Sequence, residues 1–284
     1  MQIATPVYMV RGGEFGVDFG PKLWISVIAM ALVAWDVVRR RRADYVYVFL
    51  LGAVTWTAVE FVLQASGMRR MPDRQLFGLP LPLPLSALIQ GTAEGAAIAV
   101  LAIFVGDRVV DRNGRLLTAL CFLLSCLFVA THTLWDSPFA AADPPVTSRR
   151  NMVAFPALLF LAALILVDAV FWVRCVRLRP RAIAMLSVLL LFGTAWTLGQ
   201  ISAGTRWIEL PGATVGSFER ASRGVSTMAF GFDIVVEIGL AYLPFFALPA
   251  MLGWLPEEAY YEAGSPGGGR SGGQIGFPSP RVDC

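Results

Sequence analysis

Five stretches of this chain set acidic, amide or imidazole groups inside otherwise apolar runs, at a spacing that puts each set on one helix face. Trp56, Glu60 and Gln64 follow one another at four-residue steps, and Gln90 with Glu94, His132 with Asp136, Trp196 with Gln200, and Asp233 with Glu237 repeat the step. A carboxylate at the centre of a membrane helix costs roughly 2.5–3.5 kcal/mol, so such residues face the bundle interior and carry a partner or a function. A carboxyl group in apolar surroundings tends to keep its proton, because desolvation penalises the charged form, and a second carboxyl nearby strengthens the effect. Such a group can protonate an alkene or an epoxide. Aromatic faces stabilise the cation that results, and Trp56, Phe61, Trp196, Phe230 and Phe232 are expected beside the acids.

Other membrane chemistries lack their atoms. The single lysine, Lys22, stands ahead of the first apolar run, so no lysine is expected inside the bundle to form a retinal-type Schiff base. One histidine and four scattered cysteines (Cys121, Cys126, Cys175, Cys284) cannot assemble a zinc or di-iron site, and no metal or other cofactor is expected. No aspartate-rich diphosphate motif, phosphate loop or glycine-flanked serine is evident. The net charge of +3, from 23 basic and 20 acidic residues, is too balanced for a nucleic-acid partner. The expected partners are the lipid bilayer and a lipophilic small molecule.

The elements that must position these groups follow from hydropathy. The chain is 56% hydrophobic and 15% charged over 284 residues, with a mean hydropathy of +0.65, which excludes a water-soluble domain. Apolar stretches long enough to cross a bilayer occur at 23–39, 45–66, 84–106, 116–136, 152–173, 182–203 and 227–253. The expected fold is all-α, a seven-helix membrane bundle over residues 23–253, between an extracytoplasmic segment, 1–22, and a disordered cytoplasmic tail, 254–284. No cleavable signal peptide is read at the start. Eleven basic residues fall in one set of alternate connections and eight in the other, which sets the N-terminus outside and the C-terminus in the cytoplasm. The near-exclusive use of arginine points to a GC-rich bacterial genome, and so to a bacterial cytoplasmic membrane. At about 1.5 Å per residue, Glu60, Glu94, His132, Gln200 and Asp233 all fall in the outer half of their spans, roughly 5–14 Å in. The alternating Leu and Pro of 79–84 read as a stiff interfacial segment, and the long connection 204–226 as a cap over the outer end.

Each of these residues also has a plainer reading, as interhelical glue or packing, and Asp168 reads as an anchor paired with Arg174 near the opposite end. Seven helices, the Trp56 and Glu60 pair on the second and Asp233 on the seventh resemble the integral-membrane terpene cyclases of meroterpenoid and indole-sesquiterpenoid pathways. In that family the Trp directly precedes the Glu, whereas here four residues separate them. The resemblance implies that Glu60 and Asp233 are the acid groups, with no metal or cofactor. Trp56, Gln64, Gln90, Glu94, His132, Trp196, Gln200, Phe230 and Glu237 are the expected lining of the substrate site. Two rivals stand beside this reading. A proton-coupled transporter or channel component would need a polar path continuing to the inner side, and a non-catalytic subunit or receptor would need only the helix packing.

Overall fold

The computed structural model describes residues 8–11, 19–40, 42–71, 74–110, 148–151, 155–202, 206–209 and 218–255. Five of the described segments are long and apolar enough to cross a membrane: Gly20–Arg39, Asp44–Ala65, Leu83–Arg108, Val176–Gly199 and Arg223–Met251. A sixth long helix covers Phe155–Arg174. The span expected at 116–136, with His132 and Asp136, lies outside the described residues.

Helix α1 is Gly20–Trp35 and runs on into a π-helical turn, Asp36–Arg40. Helix α2 is Asp44–Ala65. The third span has three parts: α3, Leu83–Gln90, a π-helical stretch, Gly91–Ala97, and α4, Ile98–Val110. Helix α5 is Phe155–Arg174 and α6 is Arg179–Ser202. The last span consists of α7, Arg223–Phe232, a π-helical stretch, Asp233–Leu240, and α8, Leu243–Met251. The local sequence explains where several of these begin. Pro21, Pro84 and Pro244 stand in first turns, where the missing N–H has no partner to lose. Ser222 caps α7 by accepting a hydrogen bond from the Val225 amide. Two expected boundaries shift. Lys22 lies inside the first turn of α1 rather than ahead of the span, and Leu255 is buried against the core while Trp254 packs on Tyr47 at 5.2 Å, so the ordered bundle reaches past 253.

Segments from four separate parts of the chain meet at one end of the bundle. Strands β1 (Tyr8–Arg11), β2 (Arg69–Arg70), β5 (Ser148–Asn151), β6 (Arg206–Glu209) and β7 (Phe218–Arg220) form an antiparallel sheet in the order β2-β5-β1-β6-β7. Sequence reading expects no strands there, because these short arginine-rich pieces show no apolar alternation. Part of the 204–226 connection thus forms two strands of this sheet. The Leu-Pro segment is folded too: β3 (Gln75–Leu76) and β4 (Leu79–Pro80) form a hairpin. Its turn residues Phe77 and Gly78 both have positive φ, 51° and 80°, as a tight primed turn requires.

The tightest packing joins α2 to the Gly91–Ala97 stretch. Gly91 and Gly95 are four apart and face Thr57, Trp56 and Gly52. A Cβ at Gly91 would stand 2.4 Å from the Thr57 backbone nitrogen, and one at Gly95 would stand 2.6 Å from the Gly52 carbonyl oxygen. This is the small-xxx-small device by which membrane helices bring their backbones together. Because backbone, not a movable side-chain tip, blocks the extra atom, Gly91→Ala is expected to destabilise the bundle by about 1–3 kcal/mol. A thermal melt in detergent reads this directly, and an unchanged midpoint would contradict the packing.

Candidate functional site

A buried polar layer lies under the sheet, and Glu60 is its centre. The side chain is 1% exposed, five residues before the end of α2. Both of its oxygens accept hydrogen bonds: Oε1 from Gln64 Nε2 at 2.6 Å, and Oε2 from Arg69 Nη1 at 2.6 Å. Arg69 sits on β2, just past the helix, and folds back over its last turn. Arg74 donates in turn to Gln64 Oε1, and Met71 Sδ is 3.7 Å from Gln64 Nε2. Burial works against the charge on Arg69, but the carboxylates of Glu60 and then Glu94 outweigh it, so its pKa stands above the ordinary arginine value. The guanidinium is a permanent cation.

The layer continues onto the third span. Lys22 donates to Gln90 Oε1, and its ammonium lies 3.9 Å from Glu94 Oε1 and 4.3 Å from the centre of the Phe19 ring. The lysine expected to stand clear of the bundle therefore enters this network. On the last span the Tyr242 hydroxyl donates to the Glu94 backbone carbonyl at 2.5 Å. The Tyr242 ring stacks on Trp56 with centroids 6.1 Å apart, and Phe245 meets Trp56 edge-on at 5.9 Å. Trp56, Glu60, Gln64, Gln90 and Glu94 thus belong to one connected region. Lys22, Arg69, Arg74 and Tyr242 complete it.

Asp233 lies on another seam. It opens the π-helical stretch of the last span, is 5% exposed, and belongs to a segment that packs on α6 and, less closely, on α5. Gly193 of α6 sits against Ile238, and Thr197, one turn further along α6, is 2% exposed. Trp196, adjacent to Thr197, is half-buried, as are Phe230 and Glu237, and Gln200 lies in the last turn of α6. Glu60 takes its two hydrogen bonds from Gln64 and Arg69 and neither from the last span. Tyr242 joins the two seams, through the Trp56–Tyr242 stack and its hydrogen bond to the Glu94 carbonyl. At about 1.5 Å per residue, Glu60 stands roughly 6 Å, and Asp233 roughly 13 Å, on the sheet side of that stack. All three described π-helical segments carry acids, Asp36 on the first, Glu94 on the second and Asp233 and Glu237 on the third; such distortions recur at functional sites.

The opposite end holds a second buried charge cluster that sequence reading misses. Arg181 Nε and Nη2 grip Asp107 through both carboxylate oxygens at 2.8 Å, Arg181 Nη1 reaches Asp44 Oδ2 at 2.7 Å, and the Tyr45 hydroxyl donates to Asp107 at 3.1 Å. Two aspartates just outside run ends and an arginine after the fifth span are its only trace in the sequence. Between this clamp and the polar layer lies apolar core, including Ala97, Val100, Ile103, Phe245 and Phe246. Glu94 and Asp107 are thirteen residues apart, about 20 Å along the helix. Asp168 differs from its expected role: it is 4% exposed, neither oxygen has a hydrogen-bond partner among the described residues, and Arg174 is exposed. An open apolar groove of about 370 Å³, lined by Ile28, Ala31, Leu32, Trp35, Phe104 and Arg108, lies on the α1–α4 face toward the clamp, away from the acids.

No protein-family model matches the chain, and no curated protein or solved structure matches it.

Proposed function

We propose that this chain is an integral-membrane enzyme that starts ring closure of a lipophilic isoprenoid by protonation, with Asp233 as the proton donor. The observation that carries this reading is the burial of the Asp233 carboxyl on a π-helical turn of the last span. Glu60 has both oxygens occupied by Gln64 and Arg69, which suits a positioning residue. Asp233 is nearly as buried, lies on a π-helical turn, and stands beside Phe230 and Phe232 in the chain.

In this scheme the Asp233 carboxyl proton passes to an alkene carbon or an epoxide oxygen. The adjacent carbon becomes cationic, a second alkene supplies the electron pair that closes the ring, and aromatic faces stabilise the positive charge as it moves. Loss of a proton from the final cation to the Asp233 carboxylate restores the acid, so product and substrate are isomers. Among the described residues an apolar layer separates the polar network from the Arg181 clamp, which supports this reading over a proton carrier, since a carrier needs a polar path through the membrane. We place the sheet end outside and the clamp end in the cytoplasm, following the basic residues of the connections.

The test is to supply purified protein in nanodiscs with epoxidised and plain prenylated arenes and to look for a product of unchanged mass and new retention time. Formation of an isomer that survives added metal chelator is expected. No isomer from any of these substrates would contradict the proposal.

A further inference from the structure

Three buried groups in the polar layer have hydrogen-bonding capacity that nothing among the described residues uses: Arg69 Nε, Gln90 Nε2 and Thr57 Oγ1. Arg69 is 5% exposed and Gln90 is fully buried. Thr57 packs against Gly91, the residue that follows Gln90. Thr57 is also three residues before Glu60, whose carboxylate holds Arg69. All three can donate, and buried donors left without an acceptor are costly. Lys22 and Arg74 border the same region through Gln90 and Gln64. The layer therefore offers a surplus of N–H and O–H donors and three cationic side chains near the end of the spans, where lipid headgroups give way to acyl chains.

We infer that this layer binds the oxygen-rich anionic head of an amphiphile, a carboxylate or a phosphate, with Arg69 Nε and Gln90 Nε2 donating to it and the tail lying along the bundle. The inference rests on the proposed function in taking that amphiphile as the substrate, and it narrows the substrate to a prenylated acid or phosphate. Glu60 and Glu94 account for the specificity: they offset most of the cationic charge, so only an anion that also satisfies the unused donors gains by entering.

The test measures binding without turnover. Protein in nanodiscs of neutral lipid is titrated with three probes sharing a farnesyl tail, bearing a carboxylate, a monophosphate or the methyl ester of the carboxylate, with tryptophan fluorescence as the readout. At least one anion is expected to bind about tenfold or more tightly than the ester, and which anion wins identifies the head. Gln90→Glu and Lys22→Met are each expected to lose most of that advantage. The wild-type comparison stands even where a variant fails to fold. Equal binding of anions and ester, or a full advantage in both folded variants, overturns the inference. Failure to form a cyclised isomer would leave this measurement untouched, so the two proposals fail separately.

Discussion

Arg181→Ala is expected to be the most destabilising single substitution in the described chain, costing about 3–5 kcal/mol or more. The guanidinium is 2% exposed and neutralises two carboxylates from different spans, Asp44 on α2 and Asp107 on α4. Removing it strands two negative charges in an apolar setting, beside Phe246 and under α6. The penalty comes from the orphaned partners rather than from any large worth of the ion pairs themselves. A triple replacement, Arg181→Leu with Asp44→Asn and Asp107→Asn, should therefore recover most of the loss. Thermal melts of the single and triple variants in one detergent check both statements. A single variant that melts with the wild type would show that the clamp is not closed in the membrane.

Asp233→Asn is expected to give the largest effect on activity. Loss of a positioned general acid typically lowers rate by about 10²–10⁴, and asparagine keeps the size and hydrogen-bonding capacity of the side chain while removing the proton to be given. The variant should therefore purify and melt much like the wild type while making little or no isomer. Glu60→Gln should behave differently. It leaves the buried Arg69 without its anion, so stability and activity should fall together, and Arg69→Gln in the same chain should restore part of the stability. If Asp233→Asn retains full turnover, the donor role assigned to it is wrong.

Much of the architecture is legible in the sequence because lipid imposes one simple constraint: backbone groups must pair within each span, so apolar length translates into helices. The spans at 45–66 and 84–106 agree with α2 and with the α3–α4 span to within a few residues. The Glu60 and Gln64 contact is also legible, since a four-residue step fixes neighbours on a helix. The missing parts depend on residues far apart in the chain. Asp44 and Arg181 are separated by 137 positions, and nothing local marks them as partners. Arg69 escapes notice because it lies past the helix end and reaches Glu60 only once the chain turns back into β2. The π-helical stretches escape because their apolar pattern differs too little from an α-helical one over seven or eight residues. Asp168 misleads for the opposite reason, as a nearby arginine in sequence implies a salt bridge that the helix geometry does not make.

The central claim is that a carboxyl of this protein gives its proton to the substrate, and cyclisation in heavy water tests it most directly. In a single turnover, protein exchanged into D2O and supplied with less than one equivalent of an epoxide-free prenylated substrate should yield an isomer carrying solvent deuterium on the carbon that becomes protonated. An isomer formed without deuterium, or a substrate recovered unchanged from active-lipid preparations of the intact protein, would contradict the account.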